Sequence, residues 1–332
     1  MAKRKSFSAQ PVREGWVYRE GYDDGSLIVL VDRTVVPRQD LSMGVRSAVI
    51  EDQIQGILKA ANLSSAARSP ASSTTDIGRT LYYIGKNGLD TMPTFVPSVA
   101  KRLELEQLEC IDRNDGVVLF FHGYFQSNGS AKRLLHDAKS RGLKLVSVGY
   151  DYRMEPAEFA DLALLPAIRK VLIRGGKLEG IIGHSTGADN LRYALIHKDD
   201  VVSYGVEQNT IYILSAPLTN GFREPLNIWQ HLIRGIIPER DDARTARGKE
   251  QLLDLNHPLP TEVKAYTFLC AEDRLVPPHC GLDTNSGGLT VIIPGGGHFA
   301  GTGVSSRVNE AYLDHVKEGN PRVGWGGIRL GK

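Results

Sequence analysis

The sequence is short of cysteine, of net charge and of long apolar runs, and each shortage removes a class of protein. Three cysteines in 332 residues, Cys110, Cys270 and Cys280, cannot build a disulfide framework and do not supply a four-ligand zinc pattern. They read as reduced thiols, with Cys110 and Cys270 expected as small apolar packers. The 40 Lys and Arg residues nearly balance the 38 Asp and Glu, leaving a formal charge of +2. That is too little to imply a nucleic-acid partner, and no basic stripe is interleaved with aromatics. No stretch approaches the roughly 20 apolar residues of a membrane-spanning helix, and the opening MAKRKSFSAQ lacks the apolar core of a signal peptide. A cytoplasmic location is therefore expected, with non-classical export left open.

What the chain has is length enough for a large buried core and a change of texture part-way along. Residues 1–14 open on the basic MAKRK and are expected to be flexible. Residues 15–115 are mixed. Within them, 15–36 carry alternating β-formers around Asp23-Asp24-Gly25-Ser26, the mark of two antiparallel strands and a tight turn. Val49, Ile50, Ile54, Ile57 and Leu58 then fall at helical spacing. Residues 64–75 form a Ser-, Ala- and Thr-rich loop, 79–84 a strand and 95–107 a helix. No motif with attached chemistry falls in this leading third.

Over 116–319 apolar strands alternate with amphipathic helices, the signature of an α/β architecture with a mostly parallel sheet flanked by helices. Strands are expected at 117–121, 143–148, 178–182, 211–214, 265–269 and 289–293. Phe159, Leu162, Leu165, Ile168, Val171 and Leu172 mark the clearest helix, and Val308, Tyr312 and Val316 mark the last. An insert at 220–263 interrupts the rhythm: Leu226, Trp229, Leu232, Ile233 and Ile236 lie at helical spacing, and a polar stretch follows at 239–249. Ligands bind at the carboxyl ends of parallel strands. The insert is thus either a cap over a site there or a helix packing its apolar face on the sheet. Residues 320–332, glycine-rich and aperiodic, read as a loosely held tail.

The most informative stretch is 177–190, KLEGIIGHSTGADN. Gly183-His184-Ser185-Thr186-Gly187 has the form G-x-S-x-G, which places a serine on a strained strand-to-helix turn between residues small enough to let the backbone bend. At this glycine content on the order of 0.2 such matches would arise by chance, so context must carry the assignment. Upstream, Gly180, Ile181 and Ile182 make a buried-strand run. Downstream, Ala188, Leu191, Ala194 and Leu195 recur at helical spacing.

A serine hydroxyl is a poor nucleophile at neutral pH and needs a base to take its proton and a carboxylate to orient that base. The strand at 265–269 runs into Glu272 and Asp273, and the strand at 289–293 runs into Gly297-His298. Either acid could serve, because consecutive residues leaving a strand point to opposite sides. The order His122-Gly123 after a strand, GHSTG, Asp273-Arg274-Leu275-Val276-Pro277, and a late Gly297-His298 resembles the α/β-hydrolase superfamily over residues 116–315.

That resemblance implies an α/β-hydrolase fold with a small cap insertion and an N-terminal extension. It implies Ser185 as nucleophile, His298 as general base and then acid, and Asp273 rather than Glu272 as the orienting carboxylate. The backbone N–H groups of Tyr124 and Thr186 would form the oxyanion hole. His122 and His184 are read as bracing groups rather than proton carriers. His279 and Cys280 are loop residues with no second pair to complete a metal site. The glycines of 295–303 lack the spacing and position of a dinucleotide loop. Neither metal nor organic cofactor is expected.

The expected activity is cleavage of a carboxylic ester through an acyl-enzyme. Phe125 and Trp229 are candidate substrate contacts that favour lipid or aryl esters, and the sequence sets no oligomeric state. The same residues would serve an acyltransferase, and the same scaffold could hold a ligand without turning it over. Asp189, Asn190, Tyr150, Tyr152 and Arg153 lie near the motifs without an assigned role.

Overall fold

Continuous apolar runs that must hide both faces form parallel strands covered by helices. In chain order the strands are β1 (Arg4–Val12), β2 (Gly15–Tyr22), β3 (Leu27–Arg33), β4 (Gly116–Phe121), β5 (Lys144–Ser147), β6 (Lys177–His184), β7 (Ile211–Ser215), β8 (Lys264–Cys270), β9 (Leu289–Ile293) and β10 (Gly327–Leu330). This computed structural model describes residues 4–12, 15–22, 27–33, 85, 92, 96–219, 246–255, 257–270, 273, 275–276, 278–281, 289–293, 297–299, 306–318 and 327–330. The expected helix at 45–63, the loop at 64–75, the strand at 79–84, the insert helix with Trp229, and Glu272 lie outside the described residues.

One sheet joins these strands in the order β1-β2-β3-β10-β9-β8-β7-β6-β4-β5. The run β5-β4-β6-β7-β8-β9 is parallel throughout. β10 is antiparallel to β9 and parallel to β3, and β3, β2 and β1 continue as an antiparallel meander.

The strands alternate their side chains between two cores, as period-two geometry requires. On one face Val117, Leu119 and Phe121 of β4 pack with Phe159, Ile168, Leu191 and Val201. On the other, Val118 and Phe120 meet Leu134, Val308 and Tyr312. Burying each such side chain contributes about 1.5–3 kcal/mol. The covering helices begin and end on local signals. Helix Pro97–Glu109 starts with proline at its first turn, where the missing N–H has no helical partner to lose. Helix Asp199–Gln208 carries Asp199 and Asp200 against its positive end and stops at Asn209 in the left-handed conformation.

The helix expected around Phe159 to Leu172 is interrupted. Pro156–Phe159 and Leu165–Ile173 are α-helical, and Ala160–Leu164 between them is π-helical, with the Leu165 N–H reaching Ala160 O. Pro166 explains the wider turn: it cannot donate to Leu162 and its ring crowds that carbonyl.

Three expectations are corrected. Residues 4–12, read as part of a flexible basic terminus, form the edge strand β1. The 320–332 tail contains β10, wedged between β3 and β9. Cys110, expected as an apolar packer, is exposed, because it is the cap residue two positions beyond buried Leu108, and Ile111 fills the core instead. Among the described residues no helix is long and apolar enough to cross a membrane.

Candidate active site

The loop after β4 packs against Ser185 at the end of β6, and Asp273 and His298, which follow β8 and β9, meet each other beside His184. The serine leaves β6 with φ 54° and ψ −125° and becomes the N-cap of helix Thr186–His197. A non-glycine residue in this sparsely populated region costs about 1–3 kcal/mol and persists only where its surroundings hold it. Its N–H donates to Ser215 O at 2.8 Å, and its carbonyl accepts from Ala188 N at 2.8 Å. Thr186, buried beside it, opens the helix, where the first amides lack intrahelical acceptors.

Two glycines let the loop after β4 lie directly against this turn. A Cβ on Gly187 would stand 2.6 Å from the carbonyl oxygens of both Phe121 and His122, and one on Gly123 would stand 2.6 Å from Ser185 Cβ. Any side chain at either position would push the segments apart. Tyr124 follows Gly123 and is buried. Phe125, at φ 55°, is 41 % exposed and forms an aromatic group with Tyr124 and Tyr152.

His298 and Asp273 meet beside the serine turn. Nδ1 of His298 lies 2.8 Å from Asp273 Oδ2, with both residues buried. Asp273 Oδ1 accepts the Leu275 and Val276 amides at 2.9 and 2.8 Å. The carboxylate therefore has three donors that fix its rotamer, and through it the imidazole ring. His184 joins this pair to Ser185: its ring centroid is 4.7 Å from that of His298, and its Nε2 lies 2.9 Å from the His298 carbonyl oxygen.

Both remaining histidines of the site are held neutral. Burial pushes His184 well below the usual imidazole range, and the charge of His298 acts in the same direction. A neutral ring has one N–H, and the 2.9 Å contact to His298 O takes it. The 3.3 Å approach of Nδ1 to Gln126 Oε1 is then a close contact rather than a bond. Burial likewise brings His122 down to about 4. Its ring stacks on Tyr150 at 4.4 Å, and Tyr150 donates its hydroxyl to the His122 carbonyl.

Sequence reasoning missed two side chains that organise this region, Gln126 and Arg192, and left a third, Asp189, without a role. Gln126 accepts the Gly123 amide at 2.8 Å and so fixes the loop facing Ser185. Asp189 Oδ1 accepts the Leu218 amide at 2.9 Å, where the chain enters the insert. Arg192, fully buried, donates to the carbonyls of Leu255 and His257, near the end of the insert. Both insert ends are thereby tied to the helix that follows Ser185. Arg153 is engaged elsewhere, in an exposed pair with Asp151. The only sequence signal for Arg192 was a lone Arg in the apolar stretch that follows Asn190.

No protein-family model and no curated protein sequence matches the chain. Among solved structures it is similar to a CIB-like hydrolase from Thermoplasma acidophilum, at 15% identity over 63% of this chain and 89% of that one, with a TM-score of 0.38. It is also similar to an esterase from Pyrococcus furiosus, at 12% identity over 62% and 83%, TM-score 0.40. An α/β hydrolase enzyme from the metagenome of Mar Chica lagoon sediments, Morocco, gives 14% identity over 62% and 93%, TM-score 0.42. At that level of likeness the fold stands on the chain's own topology. A parallel run β5-β4-β6-β7-β8-β9 with a strained serine turn after β6 is an α/β-hydrolase fold.

Proposed function

We propose that the protein is a serine hydrolase that cleaves carboxylic esters through an acyl-enzyme. The observation that carries this reading is the buried His298–Asp273 hydrogen bond at 2.8 Å, formed at the strained turn that presents Ser185. Ser185 Oγ attacks the ester carbonyl while His298 Nε2 accepts its proton. Asp273 holds the other ring nitrogen protonated and stabilises the imidazolium that forms. The developing oxyanion is met by the amides of Thr186 and Tyr124, each contributing about 3 kcal/mol to lowering the barrier. His298 then protonates the leaving alcohol, and water, deprotonated by the same ring, releases the acid.

The aromatic group of Tyr124, Phe125 and Tyr152 supports an apolar ester, lipid-like or aryl, with exposed Phe125 as a substrate contact. Trp229 is offered as a second contact from the insert. The test is turnover of p-nitrophenyl esters of increasing chain length, run beside Ser185→Ala. The intact protein should show a chain-length optimum and the variant no turnover above background. Full activity in the variant would remove Ser185 from the mechanism.

A further inference from the structure

The turn that presents Ser185 is fastened to the end of β7. Ser215, the last residue of that strand, lies opposite His184 in the sheet, and its carbonyl accepts the Ser185 amide at 2.8 Å. The chain then leaves β7 through Ala216 at φ 48°, so Ser185 and Ala216 are two non-glycine residues in the left-handed region at the ends of neighbouring strands. Such conformations persist only where surrounding groups over-determine them.

Tyr312 supplies that constraint from a distant part of the chain. It belongs to helix Ser306–Glu318, beyond the segment that carries His298, and it is fully buried. Its hydroxyl shares a hydrogen bond with Ser215 Oγ, and its ring meets Phe268 edge-on with centroids 5.0 Å apart. Phe268 lies opposite Ser215 in β8, and its carbonyl accepts the Ala216 amide at 2.8 Å. The contacts close a circuit: Ser185 to Ser215, Ser215 to Tyr312, Tyr312 to Phe268, and Phe268 back to Ala216.

The hydroxyl is the informative atom. The cluster around the ring, with Val291, Val308 and Leu313, is apolar, so phenylalanine would fill the same place without a polar atom to satisfy. Burial holds the phenol well above its usual range, and Cys270 and Asp273 act in the same direction while the Ser215 bond opposes them. The hydroxyl therefore keeps its proton and stays a neutral partner of Ser215.

We propose that Tyr312 is a positioning residue for ester cleavage, acting through Ser215 on the backbone of Ser185. Its hydroxyl fixes the Ser215 side chain, the Ser215 carbonyl fixes the Ser185 amide, and the amide sets where Oγ stands. A small displacement of a nucleophile slows attack more than it weakens substrate binding. The effect on turnover rests on the hydrolase reading; the link from Tyr312 to the Ser185 amide does not.

A matched control lies on the same strand. Tyr212 is also buried, and its hydroxyl donates to Val201 O at 2.9 Å on the opposite face of the sheet, away from Ser185. Removing either hydroxyl breaks one buried hydrogen bond, so the two losses of stability are comparable.

The experiment compares Tyr312→Phe, Ser215→Ala and Tyr212→Phe in the full chain by two readouts. Hydrogen exchange of the Ser185 amide, followed by NMR, should be about tenfold faster in Tyr312→Phe and Ser215→Ala and unchanged in Tyr212→Phe. Single turnovers of p-nitrophenyl butyrate with enzyme in excess should show an acylation rate constant about tenfold lower in the first two, at an unchanged half-saturating concentration, and an unaltered one in Tyr212→Phe. The double variant should be no slower than either single one, because both remove the same bond. Unchanged exchange in Tyr312→Phe, equal losses in Tyr212→Phe, or a change confined to the half-saturating concentration would overturn the proposal. An intact protein that cleaves no ester would remove the hydrolase reading, while faster exchange in Tyr312→Phe would still establish the link to Ser185.

Discussion

Asp273 is saturated: one oxygen holds His298 and the other accepts two backbone amides. Replacing it by asparagine keeps the shape, but the Leu275 and Val276 amides hold the remaining oxygen on their side and turn an N–H₂ donor towards His298 Nδ1, which favours the wrong tautomer of the ring. Asp273→Asn should lower kcat by about 10³–10⁴, whereas Glu272→Gln should change it little. Comparable losses in the two variants would move the orienting role away from Asp273.

His122 sets a stability signature at the same scale. Its folded pKa, about 4, is below the unfolded 6.5, so folding favours the neutral ring. The associated stability is complete above the unfolded value and is lost as pH falls from there through the folded one. The full effect amounts to about 3 kcal/mol. His184 acts with the same sign. Urea midpoints taken from about pH 7 down to about pH 5 should fall, and fall less steeply in His122→Asn. Parallel curves for the two proteins would show that the buried His122 ring is not the group responsible.

At the level of elements, the site is an apposition of two chain reversals, the loop after β4 and the turn after β6, with no side chain between them at Gly123 and Gly187. A methyl group at Gly187 would collide with two backbone carbonyls rather than with a movable side chain. Gly187→Ala should therefore destabilise the fold by about 1–3 kcal/mol and reduce ester turnover, read from denaturant midpoints and initial rates. An unaltered midpoint would mean that the two reversals are less closely packed than the contact distances require.

The helix after Ser185 adds a second element-level device. Asp189 and Arg192 hold the two ends of the insert while the first turn faces the site. Polar residues on a helix read as a solvated face in one dimension. Their burial becomes apparent only when the Leu218 amide and the Leu255 and His257 carbonyls arrive from distant parts of the chain.

Across the whole molecule, legibility followed locality. The six parallel strands were readable because each is a self-contained apolar run, and β2 and β3 because the sequence sets the turn-forming Asp23-Asp24-Gly25-Ser26 between two alternating runs. β1 and β10 were not. Each has few apolar residues, which gain meaning only from pairing, and β10 pairs with β3 some 300 positions earlier, at the register Gly327 to Ile28. The π-helical turn before Pro166 was in principle readable from the proline alone. For the site, the motif residues Ser185, Asp273 and His298 were singled out from strand ends. Gln126 escaped notice, since a glutamine in a loop carries no period and no motif.

The measurement that bears most directly on the central claim is intact mass after exposure to a fluorophosphonate probe, made in parallel on the native chain and on Ser185→Ala. A single adduct on the native chain, absent from the variant and mapping to Ser185, is the expected result. An unmodified native chain, or equal labelling of both proteins, would contradict an activated serine at this turn.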